Sequence, residues 1–401
     1  MRLKIKINSR IFFLIIINSL VWGCTTPNGN LSTDKIIYFD IDKSIENFDI
    51  GAITDSTFQI IPLETTDNSL IASIDKIEIR NDRIFIMDNL AQSVYIYEMD
   101  GKYWGKINAR GQGPGEYAHL SYMTVTDSSV LVIDHLSGKQ IEYRTSSLQY
   151  IREERIFDKI WCTDLFTLSG NIYYVNNWSN SNAGKFRLFS LKNNISHFNK
   201  YLPFDKEPLS LGINGPVYAV NGDEASLIYS GCDIIYRIKD GDVFPAFEVK
   251  FKDKKVVYSS GKVENVFRDN PESGRIIGIN AINESDKYLF FDVSVTTEAN
   301  KPMQRGNYDR YTCFYNKLKD ETVIYPRLAR NSLFDDEDVI VNRIIDNKLI
   351  SWREAHMLLH QEKYVYAGKT FKNKAFESRL KEVLAELTDD SNHVLFIYNL
   401  K

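Results

Sequence analysis

"RIFIMDNLAQSVYIYEMDGKYWGKI", residues 83–107, is a run of short strands broken by tight polar turns. Set beneath it, "SVLVIDHLSGKQIEYRTSSLQYIREERI", residues 129–156, has the same shape: a hydrophobic strand ending in Asp, a polar turn, a second strand, a short hairpin and a third. Asp88 and Asp134 occupy equivalent places 46 residues apart, and "GNIYYVNNWSNSNAGKFRLFSL" repeats the shape with Asn176 in the Asp place, 42 residues further on. Self-similarity at this period marks a repeat architecture. With "SIDKIEIR" and the turn "ND" ahead of residue 83, the first unit is a four-stranded antiparallel meander, the size of one propeller blade.

Weaker copies follow in "EASLIYSGCDIIYRI", in "KYLFFDVSVT" with "RYTCFYNKL", and in "NKLISW", giving six units over residues 57–401. The average is about 57 residues against the roughly 40–50 of a minimal blade, so insertions are required. One is visible near the C-terminus, at about 353–391. There "NKAFESRLKEVLAEL" spaces Phe376, Leu380, Val383, Leu384 and Leu387 as the apolar face of an amphipathic helix. "HVLFIYNLK" then returns to strand, placed to close a ring beside the N-terminal run "TFQIIPL". The fold expected is all-β, a six-bladed propeller. Aromatic content of 13%, with 23 Tyr and 23 Phe, agrees with strand-rich structure.

The chain begins with basic "MRLKIKINSR", apolar "IFFLIIINSLV" and "WGC", the three regions of a secretory signal. The apolar run is too short for a membrane-spanning helix, which needs about 20 residues. Val21, Gly23 and Cys24 resemble the bacterial lipobox, with Trp22 in an unusual place, so 1–23 is read as a signal peptide and Cys24 as the lipidated residue. Residues 24–56 become a lipidated tether and lead-in, and the partner so implied is a membrane reached through the lipid anchor. Net charge is −4 and no Lys/Arg stripe is present, which argues against nucleic acid. Cys162, Cys232 and Cys313 remain, odd in number and without metal-like spacing.

"RGQGPGEY", Arg110 to Tyr117, carries Gly111, Gly113, Pro114, Gly115 and Glu116. It lacks the strand–helix context of a dinucleotide loop and the Lys-Ser/Thr of a P-loop, so it is read as a structural turn between blades, with Arg110 and Glu116 set to pair across it. "HMLLH" spaces His356 and His360 one helical turn apart but has Met357 where a zincin places Glu, and is read as a helix face or loop. "LFDDEDV", Asp335 to Asp338, is read as a solvated helix start. Asp88 and Asp134 are either turn caps or channel-lining ligands, and Trp178 stands in a polar loop where it could stack on a sugar. No nucleophile elbow is present.

The lipobox-like "VWGC", "IPLETTDNSLIASIDKI", "RGQGPGEY" and the closing "HVLFIYNLK" together resemble the six-bladed β-propeller lipoproteins common in Bacteroidetes, distant relatives of NHL-repeat propellers. That resemblance implies a cell-envelope address, lipid-anchored and periplasm-facing, since "TTPNGN" after Cys24 has no acidic export signal. It implies no single activity. The reading preferred is a binding or scaffold module for a protein, peptide or glycan, with no cofactor. The alternative is a metal-dependent propeller hydrolase, lactonase or lyase, with carboxylates at the central channel and room for a divalent cation.

Overall fold

Asn81 and Asp82 both sit at positive φ, 51° and 54°, making the two-residue turn whose twist matches its flanking strands. Asp346-Asn347 does the same in the last repeat, at 49° and 57°. The computed structural model describes residues 33, 35–177, 185–191, 198–204, 215–229, 231–252, 274–297, 308–335, 337–368 and 370–401. The expected signal segment, Cys24 and Trp178 lie outside these residues.

Two strands precede the repeats, β1 (Lys35–Phe39) and β2 (Thr54–Pro62). The first repeat is β3 (Lys76–Arg80), β4 (Arg83–Asp88), β5 (Ser93–Glu98) and β6 (Tyr103–Ile107). The second is β7 (Leu120–Val125), β8 (Ser129–Asp134), β9 (Lys139–Arg144) and β10 (Tyr150–Arg155), and the third β11 (Asp164–Leu168), β12 (Asn171–Val175), β13 (Phe186–Leu191) and β14 (Asn199–Pro203). Next come β15 (Tyr218–Asn221), β16 (Glu224–Leu227), β17 (Ile234–Lys239) and β18 (Asp242–Phe251), then β19 (Ile276–Glu284), β20 (Tyr288–Thr296), β21 (Tyr308–Asn316) and β22 (Glu321–Pro326). A small pair, β23 (Ala329–Asn331) with β24 (Glu337–Val339), leads into β25 (Arg343–Ile345), β26 (Lys348–Arg353) and β27 (Val394–Leu400).

Within each repeat the strands pair in chain order as an antiparallel sheet. The last sheet holds only three strands of its own and is completed by β2, with Gln59 opposite Ile397 and Ile60 opposite Phe396. This is the closure expected between the two ends of the chain, with β2 and β27 neighbours in one sheet. First strands of successive sheets stand side by side. Lys76 on β3 reaches Met123 O on β7 and Leu165 O on β11, and Phe166 on β11 stacks on Tyr218 of β15 at 4.3 Å. Arg343 on β25 donates to Tyr218 O at 2.9 Å, and Ile344 N to Asn283 of β19 at 3.1 Å. The arrangement is propeller-like, all-β, with its first strands around a common axis.

The core lies between sheets. Phe85, Met87 and Ile96 of the first sheet pack on Met123, Val125 and Val132 of the second, while Ile77, Ile84 and Ile86 pack on Ile350, Leu395 and Ile397 of the last. Burial on both faces explains why β4, "RIFIMD", and β8, "SVLVID", read as near-continuous apolar runs.

Two α-helices lie between β26 and β27, α1 (Ala355–Gln361), continued by a π-helical turn at Glu362–Tyr366, and α2 (Lys374–Glu386). The side chain of Asn373 caps α2 by accepting from Phe376 N, and Phe376, Leu380, Val383 and Leu384 are buried; Leu387 forms the C-cap.

Two readings of the sequence change. Within the lead-in assigned to 24–56, Lys35–Phe39 is part of the fold, a fifth strand pairing in parallel with β18, with Phe39 fully buried. "LFDDEDV" is not a solvated helix start. Asp335 is 5% exposed, at φ 59°, and Glu337 is 3% exposed in β24. These acids face the helical insertion rather than water: Asp335 accepts from Lys372 N and Asn373 N, and Glu337 takes the guanidinium of Arg353 and the Tyr366 hydroxyl.

Candidate functional site at the axis

The first strand of the first sheet, Lys76-Ile77-Glu78-Ile79-Arg80, alternates charged with aliphatic side chains. Ile77 faces the core, which turns Lys76 and Glu78 toward the axis. There the Lys76 ammonium is fully engaged, donating to Met123 O at 2.6 Å, Leu165 O at 2.7 Å and Asp164 Oδ1 at 2.9 Å. Glu78 lies 3.4 Å away and accepts from Val125 N at 2.9 Å. Burial alone would lower the Lys76 pKa; the neighbouring Asp164 and Glu78 carboxylates outweigh it and raise the pKa well above the usual lysine value. One buried ion cluster thus ties three sheets together and closes the axis.

Tyr218 borders the cluster. Its ring lies 5.1 Å from Lys76 Nζ and 4.8 Å from the Arg343 guanidinium. Burial pushes its phenol up, so it stays protonated. Tyr218 and Arg343 border two cavities, one on either side of the plug. The upper, about 410 Å³, opens where the first strands begin, and the lower, about 90 Å³, opens toward their hairpin turns. Tyr122 and Trp352 supply apolar walls to the upper cavity, and Asp75, Asn89, Asp164 and Arg327 its polar ones. Asn89 Oδ1 and the Tyr218 hydroxyl are buried there with no hydrogen-bond partner. A buried polar atom left unpaired in a cavity wall is where a ligand or water gains most. A third and larger space, about 870 Å³, lies between the second and third sheets near Glu142, Arg152 and Glu154. Arg152 and Glu154 in its lining already pair, Arg152 with Glu142 at 2.6 Å and Glu154 with Lys159 at 2.8 Å.

Asp88 and Asp134 are not at this site. Both are fully buried, and their oxygens are taken by their own loops. Asp88 accepts from Ala72 N at 2.7 Å, Ala91 N at 2.8 Å and Ser73 N at 3.2 Å. Asp134 accepts from Ala118 N at 2.8 Å, Leu136 N at 2.9 Å and the Ser137 hydroxyl at 2.6 Å. Burial would raise Asp134; those donors, the Ser137 hydroxyl first, hold its carboxyl below the usual range. Each aspartate latches the segment entering a sheet to the turn leaving its second strand. Their period is therefore the period of a latch, and the channel-ligand alternative has no free oxygen here.

The Gly-rich stretch joins β6 to β7, the outer strand of one sheet to the inner strand of the next. Gly111 N bonds Tyr117 O at 3.0 Å and Tyr117 N bonds Ala109 O at 2.9 Å. The Tyr117 hydroxyl, fully buried, donates to Gln92 O at 2.8 Å. Glu116 turns inward to Gly113 N at 2.8 Å rather than to Arg110. Pro114 lies within this turn.

His356 is exposed on α1 beside Glu354, and His360 packs on Tyr364 at 4.5 Å. Among the described residues no group of three or more His, Cys, Asp or Glu is placed to hold a metal ion. Cys162 and Cys313 are buried free thiols, and Cys232 is partly buried.

Lys76, Glu78, Asp164, Tyr218 and Arg343 were missed by sequence reasoning, although charges alternating with aliphatics in "DKIEIR" carried a signal. Strands buried on both faces seldom bear charges unless these meet partners at an axis.

A family model described as a domain of unknown function, DUF4934, matches residues 7–399. No curated protein matches the chain. Among solved structures, a Bacteroides fragilis NCTC 9343 protein designated as exported is similar over 92% of this chain and 100% of its own, at 19% identity and TM-score 0.69. A DUF4221 member from Bacteroides vulgatus ATCC 8482 aligns over 87% of this chain and 97% of its own, at 11% identity and TM-score 0.49. The first likeness bears on fold alone.

Proposed function

The chain belongs to the DUF4934 family, and we propose that it is a six-bladed β-propeller lipoprotein of the cell envelope, distantly NHL-like, that binds a peptide or glycan at the upper end of its axis. The observation that carries the binding reading is the upper cavity of about 410 Å³, with aromatic walls and two buried polar atoms lacking protein partners. The blade count rests on six sheets of four or more strands with adjacent first strands. Envelope anchoring rests on the N-terminal sequence, with lipid at Cys24 and a periplasm-facing domain. No described helix is long and apolar enough to cross a membrane. The metal-dependent alternative is less favoured because the axial carboxylates Glu78 and Asp164 already serve Lys76, and Asp88 and Asp134 serve their loops.

Two experiments test this. Cys24→Ala should abolish incorporation of labelled fatty acid and release the protein from membranes; undiminished membrane association would refute the anchor. For binding, the chain is screened against envelope glycans and peptides by intrinsic fluorescence and calorimetry, with Trp352→Ala and Asn89→Ala expected to weaken any hit by about tenfold. A hit indifferent to both substitutions places the site elsewhere.

A further inference from the structure

Around the axis most cations have an anionic neighbour. Lys76 has Asp164 and Glu78, Arg80 has Asp127 at 3.7 Å, and Arg327 has Asp292 at 3.4 Å. Arg343 is different. It donates one bond, to Tyr218 O, and rests against the Tyr218 ring, and among the described residues no carboxylate lies within ion-pair distance of it. Arg343 and Tyr218 both line the upper cavity; the Tyr218 hydroxyl, in a residue only 2% exposed, lies against the Lys76 ammonium and has no acceptor for its hydrogen among the described residues. Of the cations lining that cavity, Lys76 is matched by Asp164 and Glu78 and Arg327 by Asp292, which leaves Arg343 as the one without a carboxylate partner among the described residues.

Resting on the reading of this cavity as the binding site, we propose that Arg343 and the Tyr218 hydroxyl receive the carboxylate of an acidic sugar, a uronic acid residue. The guanidinium offers a planar fork that matches a carboxylate at two points, where a neutral ligand would leave it unmatched. The remainder of the cavity suits the remainder of such a ring. Asn89 Oδ1 is an unpaired acceptor for a sugar hydroxyl, and the aromatic residues Trp352 and Tyr122 line the same cavity. An acidic peptide would satisfy Arg343 as well, and N-acetylaspartate is the probe that separates it from the sugar.

The test is calorimetric titration of the full chain with galacturonate, glucuronate, galactose and N-acetylaspartate, on the wild type and on Arg343→Gln, Arg343→Lys, Tyr218→Phe and Trp352→Ala. Uronates should bind at least about tenfold tighter than galactose. That preference should vanish in Arg343→Gln, fall in Arg343→Lys, which keeps charge but loses the fork, and fall in Tyr218→Phe at unchanged melting temperature. Equal affinity for galactose and galacturonate, or a preference that survives both Arg343 substitutions, overturns the carboxylate site while leaving the cavity reading intact. Arg343-dependent binding of N-acetylaspartate without uronate binding overturns the sugar class. Uronate binding indifferent to Trp352→Ala and to Arg343 sinks the cavity reading itself, and no binding of any probe at millimolar concentration overturns the proposal.

Discussion

Gly115 and Gly113 stand two residues apart in "RGQGPGEY" and have different duties. Gly115 is at φ 75°, and a Cβ there would lie 2.7 Å from the Tyr150 ring. At Gly113 a Cβ would meet only the Glu116 carboxylate, 3.1 Å away and able to swing. Gly115→Val should therefore cost more than about 2 kcal/mol, from backbone strain and overlap together, and Gly113→Ala under about 1 kcal/mol. Urea unfolding of both variants checks this; equal costs would show that the loop yields as a whole. The sequence named this stretch a structural turn, but which glycine matters depends on Tyr150, a partner 35 residues away. Lys76 was less legible still, because its acceptors Met123 and Leu165 lie 47 and 89 residues on. Lys76→Met strands the Asp164 and Glu78 carboxylates and should lower stability by about 3–5 kcal/mol, while adding Asp164→Asn should recover part of that loss. Additive costs would mean that the pair does not interact.

At the scale of elements, α2 was readable because its apolar residues recur at helical spacing and Asn373 stands where a cap belongs. How the helices attach was not readable. Glu337 binds Arg353 and Tyr366, and Asp335 binds the backbone just ahead of α2, so acids that looked solvated are the clasp between strand and insertion. A run of acids reads as surface unless the partners are known, and here the partners come from a segment that returns later in the chain. Glu337→Gln should loosen this clasp first. Amide exchange in α1 and α2 is expected to rise about tenfold or more while exchange in β4 and β8 is unchanged. Uniform acceleration across all four elements would show that the insertion is integral to the global fold.

For the whole molecule, the repeat period in the sequence was enough for an all-β, propeller-like architecture, and the closing strand was visible at the C-terminus. The axis was not, since it is assembled from the first strands of successive sheets, whose registers no local pattern reveals. Closure makes the two chain ends cooperative, so deleting Val394–Lys401 should abolish the sharp unfolding transition by removing the strand between β2 and β26. Acid should act on the whole ring as well. Burial would raise Glu284; Arg237 and Lys317 prevail and hold its carboxyl below the usual range, and Asp134 is held low by its loop. Groups with lowered native pKa stabilise fully above their unfolded values, near pH 4, and lose that stabilisation as pH falls through the native ones. Buried Asp292 runs the other way, raised by burial despite Arg327. Asp49, Glu153 and Asp286 are among the further carboxylates held low, so stability should decline below about pH 4, measured as melting temperature from pH 7 to pH 3; a flat profile would remove these carboxylates from the account.

The parallel strand β1 also has a mechanical meaning. Tension entering from the N-terminus reaches Lys35 first, and β1 is held on β18 by five residue pairs from Lys35–Phe247 to Phe39–Phe251. A pull along the strand loads all five together instead of peeling them singly. The sheet beneath already has four strands of its own, so β1 can detach without opening the ring. Under a load applied at the N-terminus the fifth strand is therefore expected to act as a fuse, yielding before the four strands beneath it and leaving the axis with its cavity intact.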